Sequence, residues 1–546
     1  MHFGFPSPSY STPATRRWIA GLAWIPLMTQ SLNPDSAILY HNAENTIFLI
    51  DTPHSIALAQ ESASRKQDQS RPQPNPPLET SQANANKRRR CLLSTQPLET
   101  PFPSTEPKSQ AARAKVLERI PASERRFHGE FIQPLVEGAL EVLRMEYRTS
   151  DGDGRWCLPR CVCGDESQPV KSARKRRNEE IGADHLSRGF ASEESSRAIP
   201  PVILSSTGVT SFESLSDLEE SIVKNVSDES ATLAICCSSA DDSDTYTEYI
   251  IPPQANFIIC TLPLSNPEPN AFNAFPETLA LNNPIPGIPV TQKFNLLLFD
   301  PPWPNRSVKR SGHYQVHHYS EMDLLTQRLR DILRVHSFHA RPSPKSEKDP
   351  AAGSGFPEKC TKSRALLAAI WITNAEKARR AAYESLTSSG FRVVEEWIWV
   401  KTTIDGRAIS AVNGLWRRPY EILVIGRIDR NWDERSMNSG DMSMAMDVND
   451  LLGIDPVGIK RRVIAAVPDL HSRKPNLKEV FERVFFMDGD CDERSESDGV
   501  DAGLQSYSAL EVFARNLTAG WWACGNEVLK FNARECWVDE CDSSIR

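Results

Sequence analysis

The run Phe294-Asn295-Leu296-Leu297-Leu298-Phe299, followed by Asp300-Pro301-Pro302-Trp303, leaves this chain few ways to fold. A short, mostly apolar run suits a strand buried on both faces of a parallel sheet. The prolines end it, because proline fixes φ and has no N–H for a sheet ladder. The residue before a proline is also pushed out of the helical region. Asp300 and the Pro301 carbonyl are therefore expected on a stiff corner at the C-terminal edge of a strand. Open α/β sheets bind their ligands along that edge. Trp303 sets a large flat ring beside the carboxylate.

The chain around this corner reads as strands alternating with helices. Strands are expected at 256–260, 365–373, 391–402, 421–426, 462–467 and 508–513. Helices are expected at 323–336, at 375–388 with Asn374 as N-cap and Gly390 past the end, and at 476–485. That alternation predicts an α/β fold with a Rossmann-like, doubly wound, mostly parallel sheet. No Gly-x-Gly-x-x-Gly loop follows a strand, which argues against a nicotinamide or nucleoside-triphosphate enzyme.

The N-terminal half is less regular. Residues 1–35 carry Arg16 and Arg17 before an apolar stretch, but they lack a small-residue cleavage site and are too short to span a bilayer. No later run reaches membrane-spanning length, so no membrane partner is expected. Two short strands are expected at 37–40 and 46–51, joined by a turn at 42–45. A helical piece is expected over 111–147, with Leu135, Ala139, Leu140 and Leu143 on one face. The domain reading is an extension over 1–35, an accessory region over 36–200, a connector over 201–248 and a catalytic domain over 249–546. Polar stretches near 341–364, 428–455 and 487–504 read as disordered insertions.

The chain carries a net charge of −8, so any contact with nucleic acid must use local basic patches. Basic runs at 87–90 and 174–177 suit a nuclear address. The twelve cysteines have no framework spacing and read as reduced thiols. Cys157, Cys161 and Cys163 lie close together, but no fourth ligand is apparent and no metal is expected.

The corner suits methylation of an exocyclic amine. The lone pair of adenine's amine is delocalised into the ring. An ionised carboxylate and a backbone carbonyl, both acceptors, can take its two N–H groups and free that lone pair. An aromatic face can hold the base by stacking.

Asp300 to Trp303, followed by Asn305, Ser307, Val308, Lys309, Arg310, Ser311 and Tyr314, resembles the MT-A70 family of adenine methyltransferases, most closely its methyltransferase-like protein 4 branch. Pro304 stands where that pattern has an acidic residue. Trp416-Arg417-Arg418-Pro419-Tyr420-Glu421 resembles the family's basic-basic-Pro-Tyr-Glu segment. His471-Ser472-Arg473-Lys474-Pro475 resembles its His-Ser-His-Lys-Pro segment, with Arg473 replacing a histidine. The stretches 511–516 and 525–531 resemble its C-terminal cofactor segment. The resemblance covers about residues 249–546.

The resemblance implies a class I methyltransferase fold with S-adenosylmethionine as cofactor. It implies catalysis at Asp300, Pro301, Pro302 and Trp303. It implies cofactor contacts from Ile259, Cys260, Lys474, Glu511, Arg515, Asn526 and Glu527, although Cys260-Thr261 stands where the family usually carries an Asp. Substrate contacts are implied for Asn305, Lys309, Arg310, Tyr314, Arg417 and Arg418. The activity expected is methyl transfer to the N(6) amine of adenine in nucleic acid, with small nuclear RNA favoured over DNA, by a nuclear monomer. A partner subunit stays open. Two other readings stand beside it: a non-catalytic nucleic-acid-binding scaffold, and methylation of a protein side-chain amine, where Asn commonly replaces the Asp.

Overall fold

A computed structural model describes residues 33–61, 90–147, 154–162, 200–237, 245–262, 283–303, 321–338, 365–429, 458–470, 473–487 and 507–539. Asn305, Lys309, Arg310 and Tyr314 lie outside the described residues. So do Cys163, His471, Ser472, the runs at 87–89 and 174–177, residues 341–364 and nearly all of 428–455 and 487–504.

The described residues form seventeen strands. In chain order these are β1 (Ile38–His41), β2 (Ile47–Ile50), β3 (Arg90–Leu92), β4 (Val202–Ile203), β5 (Val209–Phe212), β6 (Ile222–Lys224), β7 (Ala231–Cys237), β8 (Thr245–Ile251), β9 (Asn256–Ile259), β10 (Leu296–Phe299), β11 (Leu367–Ile372), β12 (Phe391–Lys401), β13 (Tyr420–Ile428), β14 (Lys460–Ala466), β15 (Ala509–Val512), β16 (Trp522–Gly525) and β17 (Trp537–Asp539). Twelve build one sheet in the order β1-β2-β14-β12-β13-β11-β10-β15-β16-β9-β6-β4. β11, β10, β15, β16 and β9 run parallel. β13 runs antiparallel between β11 and β12.

Every residue of β10 is buried, as expected of a central parallel strand. Leu297 and Phe299 face one core, with Leu325, Leu329 and Leu333 of the helix Glu321–His336. Leu296 and Leu298 face the other, with Trp397 and Phe481. The sheet is covered on both faces, as a doubly wound α/β fold requires. From β10 the chain winds outward to β11, and from β15 it winds the opposite way to β16. The crevice beyond the C-terminal ends of β10 and β15 is therefore the switch point where such sheets bind ligands. β13 begins at that same edge because it runs the other way.

β1 and β2 extend the large sheet, with β2 pairing β14 from Ile47↔Val463 to Leu49↔Ala465. β8, expected at the entry to the catalytic domain, pairs in a second sheet with β5 and β7 and shares a core with Phe257 and Ala523 of the large sheet. One local expectation is corrected. Asn374 does not cap the helix Glu376–Thr387; its amide donates to the Tyr420 carbonyl at 2.5 Å. Among the described residues, no helix is long and apolar enough to cross a membrane.

Candidate active site

The stiff corner is present. The Asp300 N–H donates to the Val512 carbonyl at 3.2 Å, carrying the β10–β15 ladder one residue further. The Trp303 N–H turns back to the Pro301 carbonyl at 2.8 Å. That carbonyl keeps a second lone pair, so it can still accept from a substrate. The Trp303 indole donates to the Trp371 carbonyl at 2.6 Å, and the ring is only 9% exposed. Trp303 was expected to offer its face to a base. As placed, it packs into the core and braces the corner from beneath.

Seven side chains of alternating charge run along the C-terminal edge of the sheet. Lys401 Nζ lies 2.6 Å from Glu421 Oε1, and Glu421 Oε2 lies 3.5 Å from Lys474 Nζ. Lys474 Nζ donates to Asp300 Oδ1 at 2.5 Å. Asp300 Oδ2 is 3.9 Å from Arg515 Nη1. Arg515 Nε is 3.1 Å from Glu527 Oε2, and Lys530 Nζ is 2.5 Å from Glu527 Oε1. Topology assembles the row, because each strand or following loop ends at the edge that holds Asp300. Burial alone would raise the Glu421 carboxyl, but Lys401 and Lys474 hold it down at about 2. Burial would likewise lower the Lys474 ammonium, and Asp300 and then Glu421 outweigh that and raise it. Lys474 is thus a stable cation between two carboxylates, with the Trp371 ring 5.1 Å from its nitrogen.

Glu511 stands beside this row and outside it. It lines a pocket with Asp300, Lys474, Arg515, Asn516 and Phe531. Burial, and then the Asp300 charge, push its carboxyl up to about 8 against the pull of Lys474 and Arg515. S-adenosylmethionine offers ribose hydroxyls, a carboxylate, an amine and a cationic sulfur. A carboxylate free to accept from hydroxyls, with two cations within reach of a carboxylate, fits that set. Phe513, two residues past Glu511, has φ +62°. This left-handed turn beside the site is costly for a non-glycine residue. Gly525 lies against it, since a Cβ there would stand 3.2 Å from Phe513 Cα.

The other expected residues are placed unevenly. Asn526 is exposed just beyond β16, and Ile259 is half-buried at the end of β9. Cys260 is 1% exposed, and its thiol is hydrogen-bonded to that of Cys524, whose pKa is raised by that hydrogen bond and by burial. The Cys260 side chain therefore faces the core, leaving the backbone to meet any ligand at this position. Arg417 is exposed, whereas Arg418 turns inward, 4.0 Å from buried Glu124. The local sequence is polar on both sides of this pair and gave no sign of that inward turn.

Sequence reasoning missed the support behind Lys474. Asp469 is fully buried and accepts from the Thr95 N–H at 2.8 Å and from Arg473 Nη1 at 2.6 Å. Arg160 donates to the Val467 and Pro468 carbonyls at 2.9 and 3.0 Å. Segments far back in the chain thus fix the loop that carries Lys474. It also missed Lys401 and Glu421 as site members; the Glu within Pro-Tyr-Glu at a strand start was the available signal.

The chain matches MT-A70 over residues 356–527. It is 26% identical to the Pyricularia oryzae protein named N6-methyladenosine RNA methyltransferase MTA1, over 92% of this chain and 96% of that one. It is 33% identical to the Cryphonectria parasitica protein of the same name, over 45% of this chain and 55% of that one. It is 28% identical to the Mus musculus N(6)-adenine-specific methyltransferase METTL4, over 53% of this chain and 45% of that one. In the last two comparisons the chain spans about half the length of its relative. The matched region contains the β11–β16 half of the sheet, with Glu421, Lys474, Glu511, Arg515 and Glu527 at its C-terminal edge. Fold, edge chemistry and these likenesses agree on an S-adenosylmethionine-dependent adenine N(6)-methyltransferase that carries an MT-A70 match over residues 356–527.

Proposed function

We propose that this enzyme methylates the N(6) amine of adenine in RNA, with nuclear small RNA as its natural substrate class. The observation that carries the reading is Asp300, gripped by Lys474 at the switch point of the sheet. Its Oδ1 is taken by Lys474. Oδ2, 3.9 Å from Arg515 Nη1, is the oxygen left to accept an amine N–H. The second lone pair of the Pro301 carbonyl takes the other. The bound cofactor supplies an electrophilic methyl group on a cationic sulfur. Lys474, Glu511, Arg515, Asn526 and Glu527 would hold that cofactor, and alignment with placed charge does most of the work. The names of the fungal relatives support RNA, and the two basic runs of the sequence support a nuclear site of action.

The test is transfer of labelled methyl to RNA and to DNA of one sequence, followed by nucleoside mass spectrometry. N(6)-methyladenosine in the RNA arm, lost with Asp300→Asn, is the expected result. Transfer to DNA alone would overturn the RNA assignment. Methyl transfer that survives Asp300→Asn would overturn the site.

A further inference from the structure

The helix Gln110–Glu118 buries none of its residues. Its apolar residues Val116 and Leu117 are only half-buried, so the helix contributes little to the core and leaves its cations at the surface. Residues 108–126 hold six Lys or Arg against two Glu, in a chain whose net charge is −8. Among the described residues, no ion pair involves Lys108, Arg113, Lys115 or Arg119, and Lys108, Lys115 and Arg119 are exposed.

This helix is tethered next to the catalytic edge. Four residues before it, Glu106 Oε1 accepts from the Leu415 and Trp416 N–H groups at 2.9 and 3.2 Å. The Phe102 N–H donates to the Ile409 carbonyl at 2.9 Å, and the Ile404 N–H to the Leu98 carbonyl at 3.0 Å. The loop between β12 and β13 is thus clamped by the segment leading to the helix. That loop holds Trp416 outward, 56% exposed, with exposed Arg417 beside it. Trp416 is five residues from Glu421, so it lies within about 18 Å of the charged row.

We propose that Trp416 and the ridge of exposed cations Lys108, Lys115 and Arg119 form a docking surface for single-stranded nucleic acid flanking the target adenine. Trp416 stacks a base, and the ridge tracks the phosphates beside it. An aromatic platform next to a line of cations is the chemistry that single strands select. This rests on the nucleic-acid substrate reading above and adds where the strand runs.

The test is fluorescence anisotropy of a labelled single-stranded RNA, its DNA counterpart and the RNA duplex across a salt series, with full-length protein. Each phosphate contact to a single strand contributes about 0.7 to the salt slope, so Lys108→Gln with Lys115→Gln and Arg119→Gln should lower it by about 2. Trp416→Ala should weaken single-strand binding by roughly 5- to 100-fold with the slope kept, and Trp416→Phe should restore most of it. Cofactor affinity and the thermal midpoint should not move, because these side chains are at the surface. Wild type that binds RNA, beside variants of equal affinity and slope, would overturn the ridge alone. Wild type that binds no nucleic acid overturns the substrate reading and the ridge with it. Polyglutamate bound as tightly as RNA would make the surface one for acidic proteins, and a preference for duplex would remove the stacking role.

Discussion

Glu511 should make cofactor affinity depend on pH. Its carboxyl is pushed up to about 8, so at pH 7 about nine-tenths of the free enzyme carries it protonated. Ribose hydroxyls donating to the carboxylate, with a cationic sulfur nearby, favour the ionised form. Binding must then expel a proton. Affinity should rise about tenfold per pH unit below 8 and level off above it, or roughly 50-fold from pH 6 to pH 8. Glu511→Gln should flatten this dependence at the weak-binding end. Isothermal titration calorimetry at pH 6, 7 and 8, in two buffers of different ionisation enthalpy, reads the affinity and the proton count together. Release near 0.9 proton at pH 7 is expected for wild type, by the same titration. The variant serves as the reference for protons from the cofactor's own amine. An equal slope in wild type and Glu511→Gln would refute the reasoning. A stability signature of known sign accompanies it. The folded-state carboxyl lies above its ordinary value, so ionisation opposes folding increasingly from about pH 4.5 to pH 8. Glu511→Gln should therefore melt higher than wild type at pH 8 and no higher at pH 4.

Asp300→Asn should keep the fold and cut single-turnover methyl transfer by about 10²–10³, the usual cost of one placed group. Trp303→Ala should cost about 3–5 kcal/mol of stability in denaturant unfolding, because the ring is buried and not a free platform. Asp469→Asn leaves Arg473 and Arg160 without their buried carboxylate and should cost about 3–5 kcal/mol, with weakened cofactor binding through the Lys474 loop. Gly525→Ala should lower cofactor affinity more than stability, read by calorimetry beside thermal melting. It strains φ +147° and pushes a methyl onto the Phe513 turn.

The corner at Asp300 was legible because everything that makes it is local: an apolar run, then two prolines. The strands β9 to β15 were legible for the same reason. The antiparallel direction of β13 was not, since an apolar strand reads alike in either direction. Lys474 meets Asp300 across 174 residues of sequence, and nothing near either residue specifies that pairing. Resemblance brought both to one site, but only topology shows that Lys474 grips the Asp300 carboxylate itself. Arg418 and Trp303 both sit deeper than their side-chain chemistry suggests. Side-chain chemistry shows in a sequence, whereas burial depends on Glu124 and Trp371, which come from elsewhere in the chain. The left-handed Phe513 has no local signal, because glycine is the residue that would have announced it.

The pairing of β2 with β14 also dictates when this protein can finish folding. Ile47 is made early, and its partner Val463 emerges about 400 residues later. At about 5–20 residues per second on the ribosome, that gap is roughly 20–80 s. Through that interval Phe48, Leu49 and Ile50, which end fully buried, have no sheet to join. The central strand waits about half as long, because β10 needs β15 on one side. The nascent chain therefore spends about a minute with two apolar strand edges exposed, the state in which chains stick to one another or to chaperones. Slower elongation should lengthen that exposure and not shorten it. Yield in a foreign host should therefore respond more to added chaperone than to codon slowing.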